Sequence, residues 1–201
     1  MTWIKLCSVV FLSLNLLFTS CNTKLHEEVY VSSIYNIHEE YEDEWGNVGK
    51  YDVSLPHIHC DSKSAKKLNK TIKNEYKDLI HTLNEAKEEK YTLPDTNISY
   101  KEYWNKKMVS LVIKEEAEAD YPRYKVYHFD FKTKKRVSNK KLYKKYKINQ
   151  LDMKAWAAQA FDQEYADEYY DNVKELRAQT ICSLPSNLDV YDHKGKLNIL
   201  I

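Results

Sequence analysis

From residue 29 onward apolar and polar positions alternate, and that alternation divides the chain into elements. Val29, Val31, Ser33, Tyr35 and Ile37 fall on one side of a strand over 29–40, with Tyr30, Ser32 and Ile34 on the other. A period of two predicts β structure. The run Glu39-Glu40-Tyr41-Glu42-Asp43-Glu44 is acidic, and Trp45-Gly46-Asn47-Val48-Gly49 carries turn chemistry. Tyr51, Val53 and Leu55 then share one face of a second strand over 50–56. The two strands predict a hairpin with an acidic tip. Asp61 or Ser62 caps a helix whose apolar positions are Ala65, Leu68, Ile72, Tyr76, Leu79, Ile80 and Leu83. Steps of three and four make one stripe, which must lie on a sheet to be buried.

A loop over 92–97 leads to one strand over 100–113. Its near-continuous apolar run over 108–113 predicts a central strand covered on both faces. After a polar turn over 115–122, residues 123–131 alternate again, Tyr127, Phe129 and Phe131 opposite Tyr124, Val126 and His128. Residues 132–136 turn, Ser138 or Asn139 caps, and 140–146 form a short helix. Residues 151–178 have a helical pattern that would bury Trp156, Ala160, Phe161, Tyr165, Tyr169 and Leu176. Strands over 188–191 and 197–201 make a last hairpin around Asp192-His193-Lys194-Gly195. The chain stops in mid-strand, which suggests a domain lacking its final element or a truncated copy. The expected fold is α/β (α+β): a mixed, mainly antiparallel sheet with helices packed on it, in a single domain over 29–201.

The first twenty residues follow another pattern. Lys5 precedes an apolar run over 6–18, and Thr19-Ser20 stand before Cys21. This is the arrangement of a signal peptide over 1–20. The run is shorter than the ~20 apolar residues that span a bilayer as a helix, so an uncleaved membrane anchor is the alternative. Phe18-Thr19-Ser20-Cys21 resembles the lipobox of bacterial lipoproteins, with Phe18 where Leu is preferred. The resemblance implies that the Cys21 thiol carries diacylglycerol and that 21–28 is a tether. The chain would then be extracytoplasmic and lipid-anchored, at the cell membrane or an outer membrane.

Composition narrows the function. Lys+Arg 31 against Asp+Glu 30 leaves no global field for nucleic acid, and losing Lys5 with the leader makes the remainder formally neutral. The lysine-rich stretch over 132–147 reads as a solvated face. Three glycines exclude glycine-rich phosphate loops. The seventeen tyrosines fit either a tyrosine-built core or an aromatic glycan-binding face. Cys60 and Cys182 remain after Cys7 and Cys21 are assigned. In an oxidising compartment they pair as one disulfide or stay as two buried thiols.

Candidate chemistry is sparse. His57-Ile58-His59-Cys60 places His57 and His59 on one face of a strand, but zinc would need a third ligand from elsewhere. The carboxylates of 39–44 lack the two different environments that acid–base catalysis requires, and no nucleophile elbow is present. No catalytic residue and no cofactor is expected. Tyr41, Glu42, Asp43, Glu44 and Trp45 form a candidate docking surface for a basic partner. A metal-dependent envelope hydrolase using His57 and His59, or a structural or remnant lipoprotein, are the alternatives.

The order of pieces carries a family resemblance. Tyr51-Asp-Val-Ser-Leu-Pro56 is followed by Lys66-Lys-Leu-Asn69 opening a helix, and then by Val109-Ser-Leu-Val-Ile113. Tyr124-Lys-Val-Tyr-His-Phe-Asp130, Thr133-Lys-Lys135 and Val137-Ser-Asn139-Lys-Lys-Leu142 come next. This resembles the extracellular domain shared by the anti-sigma-V factor RsiV and the N-terminal, non-catalytic region of PdaC-type peptidoglycan deacetylases. Lys134 replaces the family's turn glycine, so a different turn is expected there. The resemblance implies a sensing or binding role in the envelope, toward peptidoglycan or a basic wall-active protein such as lysozyme.

Overall fold

The computed structural model describes residues 29–117, 122–165, 173–184 and 188–200. Residues 1–20, expected as a leader, the expected tether over 21–28 with Cys21, and Tyr169 lie outside the described residues. Strands β1 (Tyr30–Glu42), β2 (Val48–His59), β3 (Thr96–Asn105), β4 (Met108–Ala117), β5 (Arg123–Asp130) and β6 (Lys135–Val137) form one sheet in chain order. Every neighbour pair is antiparallel except β2 and β3, which run parallel. Parallel neighbours need a long crossover, and helices α1 (Lys63–Glu75) and α2 (Lys77–Glu89) supply it. Helices α3 (Asn139–Tyr146), α4 (Gln150–Glu164) and α5 (Val173–Ser183) follow, then a hairpin of β7 (Val190–His193) and β8 (Lys196–Ile199). The fold is α+β, with a mixed, mostly antiparallel six-stranded sheet.

The helical stripe does lie on the sheet. Ala65, Leu68, Ile72, Tyr76, Ile80 and Leu83 are buried against Tyr51, Val53, Leu55, Val109, Leu111, Ile113 and Phe129. The stripe belongs to two helices rather than one. The axis breaks at Tyr76, which is both the C-cap of α1 and the N-cap of α2. The break is fastened to the sheet: the Tyr76 hydroxyl donates to Glu115 at 2.5 Å, and the Tyr127 hydroxyl donates to Glu75. Lys125 lies between these carboxylates, 2.6 Å from Glu115 and 3.3 Å from Glu75. Of the two candidate caps for α1 it is Ser62 that acts, its hydroxyl accepting from the Ala65 N–H at 3.0 Å.

The opposite face holds a smaller core of Val137, Leu142, Tyr143, Met153, Leu188 and Val190 under the β7–β8 hairpin. β4 is thus covered on both faces, as its apolar run predicted. The single strand expected over 100–113 is two strands, because the chain reverses at Lys106-Lys107 and β3 pairs with β4 along its whole length. The helical stretch expected over 151–178 contains α4, closed by Tyr165 as C-cap, and α5. Met153, Ala157 and Phe161 form the buried row of α4, whereas Trp156 and Leu176 are exposed.

Strict alternation also fails in β1. One extra residue sits between the pairs Ile34–Leu55 and Ile37–Val53, with Tyr35 at φ +58°. This bulge brings Ile34 and Ile37, expected on opposite sides, against the same core. Among the described residues the other non-glycine positions at positive φ are all lysines: Lys90, Lys106, Lys134, Lys147 and Lys194. Lys134 stands at φ +53°, so its turn keeps the left-handed position that a glycine would occupy.

Candidate functional site

The β1–β2 tip is organised from below by Asp43. Its Oδ1 accepts from the backbone N–H groups of Trp45 and Asn47, each at 2.9 Å. Its Oδ2 accepts from the Asn47 side-chain amide at 2.9 Å and from the Thr92 hydroxyl at 3.0 Å. The backbone closes the same loop, Asp43 N–H donating to the Asn47 carbonyl at 2.9 Å, with Gly46 at φ +83°. The hydrogen bond from the Asn47 side chain, aided by those from Thr92 and the loop backbone, outweighs desolvation and holds the Asp43 carboxyl below its usual range. Asp43 is buried, so its expected place in a docking surface is corrected. Its oxygens are consumed by its own loop.

The loop after α2 holds the tip from the side. Tyr51 Oη accepts from Leu93 N–H at 2.6 Å, and Lys50 N–H donates to Asp95 at 2.8 Å. Gly49 is required here, because a Cβ would overlap the Tyr51 hydroxyl and the Leu93 carbonyl oxygen. Of the acidic run, Glu39 pairs with Lys87 at 2.6 Å and Glu40 lies 3.7 Å from Lys50. Tyr41 is half-buried against the main core. Glu42 and Glu44 are exposed, and their side chains make no ion pair or hydrogen bond among the described residues. Trp45 projects from the fixed loop with 73% of its surface exposed, and Val48 beside it is also exposed.

His57 and His59 share a face at the end of β2, as expected. His59 stacks on Tyr30 at 4.1 Å between ring centroids, and its Nε2 lies 2.7 Å from the Ser32 hydroxyl. His57 meets His59 edge-on, and burial, with the neighbouring His59 adding to it, pushes its pKa down. No group of three or more His, Cys, Asp or Glu side chains suited to a metal occurs among the described residues. Cys60 is half-buried and Cys182 exposed, and both are free thiols not joined to each other.

Asn69 of α1 makes a distinctive contact. Its Oδ1 accepts from Ile58 N–H, and its Nδ2 donates to the Ile58 carbonyl, both at 2.9 Å. β3 pairs with β2 only from Tyr51 to Val53, so the amide stands where a neighbouring strand would otherwise be.

A buried polar chain crosses the opposite face, and the sequence reading missed it. Ser110 Oγ accepts from the Asp192 N–H at 3.0 Å and lies 3.0 Å from His128 Nδ1. His128 Nε2 lies 2.9 Å from Asn139 Oδ1, and Asn139 Nδ2 donates to Asp189 at 3.0 Å. With the imidazole neutral, one proton arrangement serves every link: Ser110 donates to Nδ1, and Nε2–H donates to Asn139. Burial keeps His128 neutral by lowering its pKa. The series resembles a nucleophile, a base and an orienting amide, but Ser110 and His128 are 0% and 1% exposed, so no substrate reaches them.

Next to this chain, Asp192 accepts from Asn105 at 2.9 Å, from Lys145 at 3.0 Å and from the Tyr146 hydroxyl. Burial opposes its ionisation, yet the Tyr146 and Asn105 hydrogen bonds and Lys145 outweigh it and lower its pKa. The network pins the β7–β8 hairpin to the sheet. The signals available in sequence were Ser110 within an apolar run and His128 on an otherwise aromatic strand.

No family model matches the chain, and no curated protein matches it.

Proposed function

We propose that the chain is the anchored binding domain of an envelope lipoprotein, tethered through Cys21 and docking a basic wall-active protein with its β1–β2 tip. The observation that carries this reading is Trp45, exposed on a loop that Asp43 holds in one conformation. Tryptophan is among the side chains enriched at the energetic centres of binding surfaces, and preorganisation lowers the ordering cost of docking. Glu42 and Glu44 flank it without partners among the described residues, which favours a basic partner over a neutral one. The motif order resembling the RsiV and PdaC extracellular domain supports the same role.

The test is capture of lysozyme and of isolated peptidoglycan by the full chain at two salt concentrations, with Trp45→Ala beside wild type. Lysozyme should be retained, and retention should fade with salt. Trp45→Ala should weaken it by roughly tenfold or more while leaving thermal stability unchanged. Retention of peptidoglycan alone would transfer the reading to a glycan. Retention of neither would overturn it.

A further inference from the structure

Five lysines from two turns and a helix that are separate in sequence meet at one cleft. Lys106 and Lys107 form the β3–β4 turn, Lys132 lies in the β5–β6 turn, and Lys141 and Lys145 lie on α3. All five line a cavity of about 400 Å³. That lies within the usual size of small-molecule sites, ~300–1,000 Å³. The floor is apolar, made by Met108, Val137 and Leu142. The two hairpin turns are tied together by the Phe131 N–H donating to the Lys107 carbonyl at 2.8 Å.

The charge in this cleft is poorly compensated. Asp130 is its one lining carboxylate among the described residues. Both Asp130 oxygens are occupied by its own turn: Oδ1 accepts from Lys132 N–H at 2.9 Å and Oδ2 from the Thr133 hydroxyl at 2.9 Å. Lys145 is paired with the buried Asp192 at 3.0 Å. The side chains of Lys106, Lys107, Lys132 and Lys141 are exposed and make no ion pair or hydrogen bond among the described residues. An electrically balanced chain that gathers five ammonium groups from three elements around an apolar floor has a local field that its net charge conceals.

The geometry points to an anion-binding cleft that takes a phosphate-bearing ligand, the phosphate among Lys106, Lys107, Lys132, Lys141 and Lys145 and an adjoining apolar portion on Met108, Val137 and Leu142. Lysine ammoniums act on phosphate as point charges without the planar fork of arginine. Selection therefore rests on charge and on the apolar floor. Two sources offer this chemistry, a soluble phosphorylated molecule and the headgroup of an anionic lipid. The inference is independent of the hairpin-tip reading, since none of its residues lies in β1 or β2.

The experiment is calorimetric titration of the full chain with inorganic pyrophosphate and, separately, with dihexanoyl phosphatidylglycerol below its micelle concentration. Dihexanoyl phosphatidylcholine serves as the zwitterionic comparison. Lys107→Glu/Lys141→Glu reverses two rim charges, and Lys67→Glu/Lys70→Glu makes the same change in net charge on exposed positions of α1. Binding that weakens with added salt, falls roughly tenfold or more in the rim variant and persists in the α1 variant supports the cleft. Tighter binding of pyrophosphate assigns a soluble phosphate, and tighter binding of the phosphatidylglycerol assigns a lipid headgroup. Binding of neither anion, equal weakening in both variants, or equal affinity for phosphatidylcholine would overturn it.

Discussion

Asn69→Ala should unfold the protein more readily by an amount that follows from two hydrogen bonds. Asn69 satisfies both backbone groups of Ile58, each at 2.9 Å, and Ile58 is buried. An unsatisfied buried backbone group costs about 1–3 kcal/mol. Two such groups give a gross loss of ~2–6 kcal/mol. Alanine is the better helix former by about 0.6 kcal/mol, which offsets part of that. Asn69 is itself half-buried, so water reaches one side of the gap and the lower half of the range applies. The expected net loss is about 2–3 kcal/mol, a large share of the ~5–15 kcal/mol that stabilises a typical domain. In urea this should lower the midpoint by about 1–2 M with the slope unchanged. Asn69→Asp keeps the acceptor for the Ile58 N–H but sets an oxygen against the Ile58 carbonyl, so it should be no better than alanine. A loss below about 0.5 kcal/mol for Asn69→Ala would refute the reasoning, because it would mean the end of β2 needs no substitute neighbour.

Three further outcomes follow from particular contacts. The Asp43 pKa is depressed in the folded state, so its contribution is fully present above the unfolded value near ~4 and is lost as pH falls through the folded value; the stability gap between wild type and Asp43→Asn, measured by urea unfolding from neutral to strongly acidic pH, should therefore narrow in acid. Asp192→Ala removes the acceptor shared by Asn105, Tyr146 and Lys145 and should cost about 2–4 kcal/mol, with amide exchange in 190–199 accelerating before the rest of the sheet. Lys90→Gly relieves a left-handed C-cap at φ +60° and should add about 0.5–1 kcal/mol, seen as a rise in Tm; an unchanged or lowered Tm would count against the strain argument.

The hairpin over β1 and β2, the helical stripe and the central position of β4 were legible because burial leaves a period in the sequence. The division between β3 and β4 was not. Its turn is Asn105-Lys106-Lys107, with neither glycine nor proline, and Lys106 takes the left-handed conformation at φ +55° without the residue that usually signals it. Local pattern likewise could not show that Tyr76 ends one helix and begins another, because the apolar stripe runs through the break uninterrupted.

The candidate docking surface divides along the same line. That an aromatic and acidic tip would stand at a hairpin turn followed from sequence. Which of its residues face outward did not, because Asp43 is turned inward by contacts with Asn47 and with Thr92, a residue 49 positions away.

What the sequence determined by itself was the class of fold and most of its elements, since periodicity and caps are local and each segment carries its own record of which face is covered. Tertiary structure alone decided which polar groups meet. Ser110 with His128 and Asp192, Asn69 with Ile58, and five lysines around one cleft are joined across separate elements. Hydrogen bonds and fields depend on distance in space, and no residue type reveals its neighbours until the chain has closed around it.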